Sequence, residues 1–151
     1  MEIKTDPHPT LYTVSTEVQP EEFKDVTHMA RKALKLLQRT PNGIGLAANQ
    51  VGDTRRWFVS PLFKVCINPS IVGKSQDKSK AEEGCLSKPG FKRIVSRPES
   101  IYAFWRDKKN KPVSKQLTGM AARVFQHELD HLNGKNIWGG SRKKENNHDN
   151  I

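Results

Sequence analysis

His127-Glu128-Leu129-Asp130-His131 is the stretch from which both the fold and the chemistry of this chain can be read. On a helix, residues four apart stand one above the other, about 6 Å along the axis, so the two imidazoles can converge on one ion. Glu128 precedes His131 by three residues and borders the same face, where its carboxylate reaches water beside the ion rather than the ion itself. That arrangement suits a general base next to a hydrolytic metal. His, Glu and His fall at these positions by chance in on the order of one chain in a few hundred. The pattern therefore marks a metal site without naming a reaction.

The reaction depends on the third ligand, because a catalytic metal keeps three protein donors and one open position. Zinc proteases with this helix usually take the third donor from downstream. Only residues 132–151 follow here, and Glu145 and His148 lie in a polar tail. The alternative is upstream, in Glu82-Glu83-Gly84-Cys85-Leu86-Ser87, where a thiolate would be stabilised by the ion it binds.

Around this helix the sequence predicts a single domain over residues 1–140 and a disordered tail over 141–151. Phe23, Val26, Ala30, Ala33, Leu34 and Leu37 recur at helical spacing, which predicts a helix from Pro20 to Arg39 ended by Asn42-Gly43. Strand-like runs follow at Trp57 to Val59, Val65 to Ile67, Ser70 to Val72, Phe91 to Val95, Ile101 to Trp105 and Val113 to Leu117. Their pairing should be mostly antiparallel. Lys108 to Lys111 reads as a hairpin connection and Ser75 to Lys80 as a mobile surface loop. The metal helix should run from Thr118, as N-cap, to Asn133, with Gly134 stopping it.

No apolar run resembles a secretory signal or approaches membrane-spanning length, so a soluble, unexported, cytoplasmic protein without a membrane partner is expected. Of the two cysteines, Cys66 sits in an apolar run and reads as a buried strand residue, and a disulfide with Cys85 is not expected in a reducing cytosol. The net charge of +10 suggests a polyanion, and a ribosome is a natural candidate for weak electrostatic association. Against this, many of the lysines and arginines fall in short polar stretches that would be solvated in any soluble protein, and no segment reads as a basic helix.

Glu83 to Ser87, Gln126 to Gly134 and Gly43 to Gln50 together resemble the three signature motifs of peptide deformylases, in the family's order, and the resemblance extends from about Asp6 to Gly134. It implies an α+β fold with small, mostly antiparallel sheets packed around a central metal-binding helix. It implies hydrolysis of the N-formyl group of N-formylmethionyl peptides and nascent chains, with release of formate. Cys85, His127 and His131 would bind the metal, and Glu128 would carry the proton from water to the departing amine. The Gln50 amide and the Leu86 backbone N–H would hold the oxyanion. Gly45 and Gly84 would let the substrate approach the backbone closely. Ile44, Glu83, Met120, Arg123 and Val124 would line the methionine pocket beside His127. Arg123 is awkward there, and its stem would line the pocket while its charged end reaches the rim. Asp130 and Arg97 would be supporting partners, paired with each other. One divalent ion per chain is implied, Fe(II) in the cell, with Zn(II), Ni(II) or Co(II) able to replace it after purification. A monomer is expected. Many relatives continue into a long basic C-terminal helix that helps ribosome docking; the sequence here stops after a short polar tail, so that docking mode is not expected. Two rivals make different demands. A metalloprotease would want a different third ligand, and a non-enzymatic, metal-stabilised RNA-binding module gives no reason for Glu128 and Gln50.

Overall fold

The computed structural model describes residues 1–139. A single 3-10 turn, Pro20–Glu22, leads into α1, Phe23–Gln38, which matches the predicted helix apart from this tighter entry. Proline opens the turn, and Glu22 accepts a hydrogen bond from the Gln19 N–H at 2.9 Å, satisfying a donor that a helix start leaves over. Val26, Ala30, Ala33 and Leu37 are buried on one face. Lys24, Arg31, Lys32, Lys35 and Arg39 are exposed. The expectation that no basic helix exists is therefore wrong: a pattern read for its apolar face conceals how the opposite face gathers one sign of charge.

The strands are β1, Leu46–Ala47; β2, Trp57–Ser60; β3, Lys64–Lys74; β4, Lys78–Gly84; β5, Lys92–Pro98; β6, Ser100–Arg106; and β7, Pro112–Thr118. Five form one sheet in the order β1-β2-β3-β6-β7, and β4 pairs with β5 alone. Every pair is antiparallel, as expected. Two predicted runs, Val65 to Ile67 and Ser70 to Val72, merge into the single strand β3, whose pairing with β6 shifts register between Ile67 and Ser70. Asn68 makes the irregularity tolerable: at φ 52° it bonds Val18 through both ends of its amide, at 2.8 and 3.0 Å. The mobile loop expected at Ser75 to Lys80 is a further correction, since β4 begins at Lys78 and pairs residue by residue with β5. Its polar composition hid an alternation of exposed Lys78, Lys80 and Glu82 with more buried Ser79, Ala81 and Glu83.

The metal helix is α2, Gly119–Leu132. Thr118 occupies the cap position but gives no side-chain bond to the helix. The Gly119 N–H is instead met by the Glu99 carboxylate at 3.1 Å. Gly134, at φ 74°, stops the helix as predicted and donates to the His131 carbonyl at 2.9 Å.

Phe125 projects from α2 into an aromatic cluster with Phe58, Phe63 and Trp105, at centroid distances of 5.2 to 5.7 Å. This anchor, with Leu129 and Leu132, fixes α2 against the large sheet, while the β4–β5 ribbon covers its other side. The central helix is thus buried nearly all round. Among the described residues, no helix is long and apolar enough to cross a membrane. The predicted tail over 141–151 lies outside the described residues.

Candidate metal centre

Two separated segments meet on α2. Cys85 follows β4 directly, the 3-10 turn Ala48–Val51 carries Gln50, and α2 supplies His127, Glu128 and His131. One ligand atom from each of Cys85, His127 and His131 lies within 4.8 Å of the others. The Cys85 Sγ to His131 Nε2 distance is 3.2 Å. A tetrahedral ion with metal–sulfur and metal–nitrogen bonds of about 2.3 and 2.0 Å has S···N edges of roughly 3.5 Å, so the spacing fits a metal. The electrostatics fit as well. Burial disfavours charge on His127, but its bonds to Cys85 and Glu83 outweigh this and raise its pKa to about 10. The surroundings that favour a proton there favour any cation. His131 is pushed the other way, well below the usual value, by burial and then by His127, which suits a neutral ligand.

Behind the histidines lies an ionic network. Glu83 is bound by Arg97 at 2.7 and 2.9 Å and by Arg123 at 2.6 Å, and its Oε1 lies 2.9 Å from His127 Nδ1. That contact turns the His127 ring and leaves Nε2 for the cluster. Burial pushes the Glu83 carboxyl up, but Arg97 and His127 overcome it and hold the group far below the usual carboxylate range. Arg97 also reaches Asp130 at 3.0 Å. Arg123 departs from expectation. Its charged end does not reach an open rim but turns inward, bonding Glu83, the Val95 carbonyl at 3.0 Å and the Ser79 carbonyl at 2.8 Å. A buried guanidinium needs such partners, and the β4–β5 ribbon provides them.

Glu128 is buried, and its Oε1 has no hydrogen-bond partner. Burial raises its pKa to about 7, against the pull of His127. Its other oxygen lies against Gly45, so closely that a β-carbon there would collide with the carboxylate. Gln50 is held at both ends: its Oε1 accepts from the Ala47 N–H at 2.9 Å, and its Nε2 donates to Ser87 Oγ at 3.0 Å. The amide's second N–H is turned toward Cys85 Sγ, 3.5 Å away. The cluster opens into a cleft of about 480 Å³, lined among others by Ile44, Gly45, Glu83, Gly84, Met120 and Val124.

Residues 1–147 match the family model described as Polypeptide deformylase. The chain belongs to the peptide deformylase family. The peptide deformylase of Rhizobium meliloti is 38% identical over 136 residues, spanning 85% of this chain and 77% of the relative. A solved Plasmodium falciparum peptide deformylase in complex with inhibitor superposes with a TM-score of 0.83 at 36% identity, covering 99% of this chain and 95% of the other. The enzyme from Vibrio parahaemolyticus bacteriophage VP16T, in complex with actinonin, superposes with a TM-score of 0.80 at 35% identity, over 91% and 100% of the two chains. Peptide deformylases remove the formyl group from N-formylmethionine as metal-dependent hydrolases, and so does this chain.

The deformylase cleft gathers the predicted residues unequally. Arg123 lines it alongside the six named above, as do Gln50, Leu86, Cys85, His127 and Glu128, whereas Arg97 and Asp130 stand behind it. Two residues that support the site gained no role from sequence. Ser87 is fully buried and accepts from Gln50; it closes the Glu83–Ser87 motif, and that position was the only signal. Asn49 is fully buried beside Gln50, and its Nδ2 bonds the His131 carbonyl, tying the 3-10 turn to α2. Pro41, Phe91 and Lys92 also line the cleft without a motif to mark them.

Proposed function

We propose that Cys85, His127 and His131 hold one divalent cation, and that the cleft takes the formylated start of N-formylmethionyl peptides and nascent chains. A cation there supplies Lewis acidity, polarising a carbonyl and easing deprotonation of water near neutral pH. Glu128 accepts a proton from the attacking water. The water oxygen bonds to the formyl carbon, the C–N bond breaks, and Glu128 returns the proton to the departing nitrogen, leaving formate and a free amino terminus. Gln50, through its second amide N–H, and the Leu86 backbone N–H stabilise the negative charge on the formyl oxygen. Gly45 and Gly84 admit the substrate backbone, while Ile44, Met120, Val124 and the stem of Arg123 offer apolar surface to the methionine side chain. The observation that carries this reading is Glu128: a buried carboxylate with an unpartnered oxygen, held against a glycine beside three convergent ligand atoms. Glu83, Arg97 and Asp130 act through His127 and α2 by orienting them. The cytoplasm is the proposed compartment, in keeping with Cys66 and Cys85 both being free thiols.

We propose Fe(II) as the working ion. A thiolate with two imidazoles accepts several first-row ions, and the usual affinity order favours zinc over iron, so zinc should accumulate during purification in air. The test is to strip the metal, reload with Fe(II), Zn(II), Ni(II) or Co(II) under argon, and measure formate release from a formyl-Met peptide per bound ion before and after exposure to oxygen. The Fe(II) form should turn over fastest and decay in air as iron and Cys85 oxidise, while Ni(II) or Co(II) forms persist. Equal rates with zinc and iron, or an iron form indifferent to oxygen, would overturn the choice of ion but not the ligand set.

A further inference from the structure

We propose that the outward face of α1 is a docking surface for the phosphodiester backbone of double-helical RNA. At about 100° per residue, Lys24, His28, Arg31, Lys32, Lys35 and Arg39 fall within an arc of about 100°. The buried residues Val26, Ala30, Ala33 and Leu37 lie on the opposite side. All six outward residues are exposed. Among the described residues none of their side chains has a hydrogen-bond or ion-pair partner. The one acidic residue of α1, Asp25, is engaged by Arg55 at 2.8 Å and does not neutralise the stripe.

A face adapted only for solubility interleaves the two signs, since opposite charges four apart stabilise a helix and like charges destabilise it. Here Arg31 stands over Lys35 and Lys35 over Arg39, so the helix carries repulsion that a polyanion would relieve. The stripe runs about 22 Å from Lys24 to Arg39, long enough to follow several successive phosphates. An anionic bilayer fits less well. No large hydrophobic side chain of α1 is exposed, so nothing on this face can enter a membrane interface.

The position of the stripe gives it a use. Arg39 is followed by Pro41, Asn42 and Ile44, which line the deformylase cleft. Nucleic acid lying along α1 would therefore sit beside the cleft mouth, and its contacts would hold the enzyme where substrate arrives. The choice of RNA rests on the formylmethionyl reading, because a new polypeptide begins beside structured RNA. Binding of this kind is ionic, indifferent to base sequence and steeply dependent on salt.

The test uses metal-loaded full-length protein and a fluorescent RNA duplex of about 20 base pairs, titrated between roughly 0.05 and 0.2 M salt. The variant Lys24→Glu/Arg31→Glu/Lys35→Glu is compared with Lys108→Glu/Lys109→Glu/Lys111→Glu, which makes the same charge change on the exposed β6–β7 hairpin. The α1 variant should bind at least tenfold more weakly and lose about one unit of salt slope per cation removed. The hairpin variant should change much less, and both should release formate from a short formylated peptide at the wild-type rate. Equal losses in the two variants, no wild-type binding at 0.1 M salt, or α1-dependent binding of phosphatidylserine vesicles or polyglutamate as tight as that of RNA would each overturn the proposal. Formate release is scored on the same samples, so failure of the deformylase reading would appear separately, as inactive wild-type protein.

Discussion

Gly45 shows how much of the site depends on single atoms. A β-carbon at this position would overlap the Glu128 carboxylate. That carboxylate ends a flexible side chain, so the fold can yield at little cost while the reactive group is displaced. Gly45→Ala should unfold at nearly the wild-type urea concentration, yet release formate about 10²-fold more slowly or worse, the range of a lost proton transfer. Near-normal turnover would mean that the position of Glu128 does not govern the reaction. At this scale the sequence was most legible where a motif is local. His127, Glu128 and His131 share one turn of helix, so their convergence follows from helical spacing alone. Glu83 was legible only as a pocket residue. Its bonds to Arg97, Arg123 and His127 join β4, β5 and α2, and no periodicity in the sequence announces ion pairs between residues 14 to 44 positions apart. The inward turn of Arg123 has the same cause: the partners that enclose its charge, Glu83, Val95 and Ser79, belong to a ribbon whose first strand begins inside the segment expected to be a loop.

Among the elements, α1, α2 and the hairpin β6–β7 were foreseen because each repeats its pattern over several turns or pairs. The strand β4 was missed because its alternation is of charged with small residues rather than polar with apolar ones. The link between the 3-10 turn and β2, which the Asp53 N–H ties back to the Ala48 carbonyl at 3.0 Å, is also silent in the sequence. Asp53 organises it, accepting bonds from the Arg55 backbone N–H at 2.9 Å, the Arg55 guanidinium at 2.9 and 3.0 Å and the Trp57 indole N–H at 3.0 Å. Burial pushes the Asp53 carboxyl up, but Arg55 and Trp57 outweigh it and hold the group below its ordinary value. A carboxyl depressed by folding contributes stability that is fully present above its unfolded pKa, about 3.9, and is lost as pH falls through the lower folded value. Asp53→Asn should therefore lower the urea midpoint at pH 7 and lower it much less near pH 3. The same deficit at both pH values would show that the charge of Asp53 is not what stabilises the link.

At the scale of the whole molecule, the antiparallel sheets and the buried helix serve one geometric end. They bring a cysteine from the end of β4, a glutamine from a 3-10 turn and three residues of α2 to one point, with apolar packing behind and a cleft in front. The α+β class follows from the family resemblance, and both long helices and most strands can be read from the sequence, β4 excepted; the depth of burial cannot, because it arises from α2 being covered on both sides. That burial leaves Glu128 beside the ligand cluster without a protein partner for Oε1, and in the proposed mechanism this carboxylate moves the proton while the cysteine and histidines hold the ion. The most direct measurement is formate release from a formyl-Met peptide by Glu128→Ala, with metal content determined on the same sample. Glu128→Ala should hold one metal ion per chain, as the wild type does, and release formate about 10²- to 10⁴-fold more slowly. A variant that loses its metal, or that keeps it and works at the wild-type rate, would contradict that mechanism.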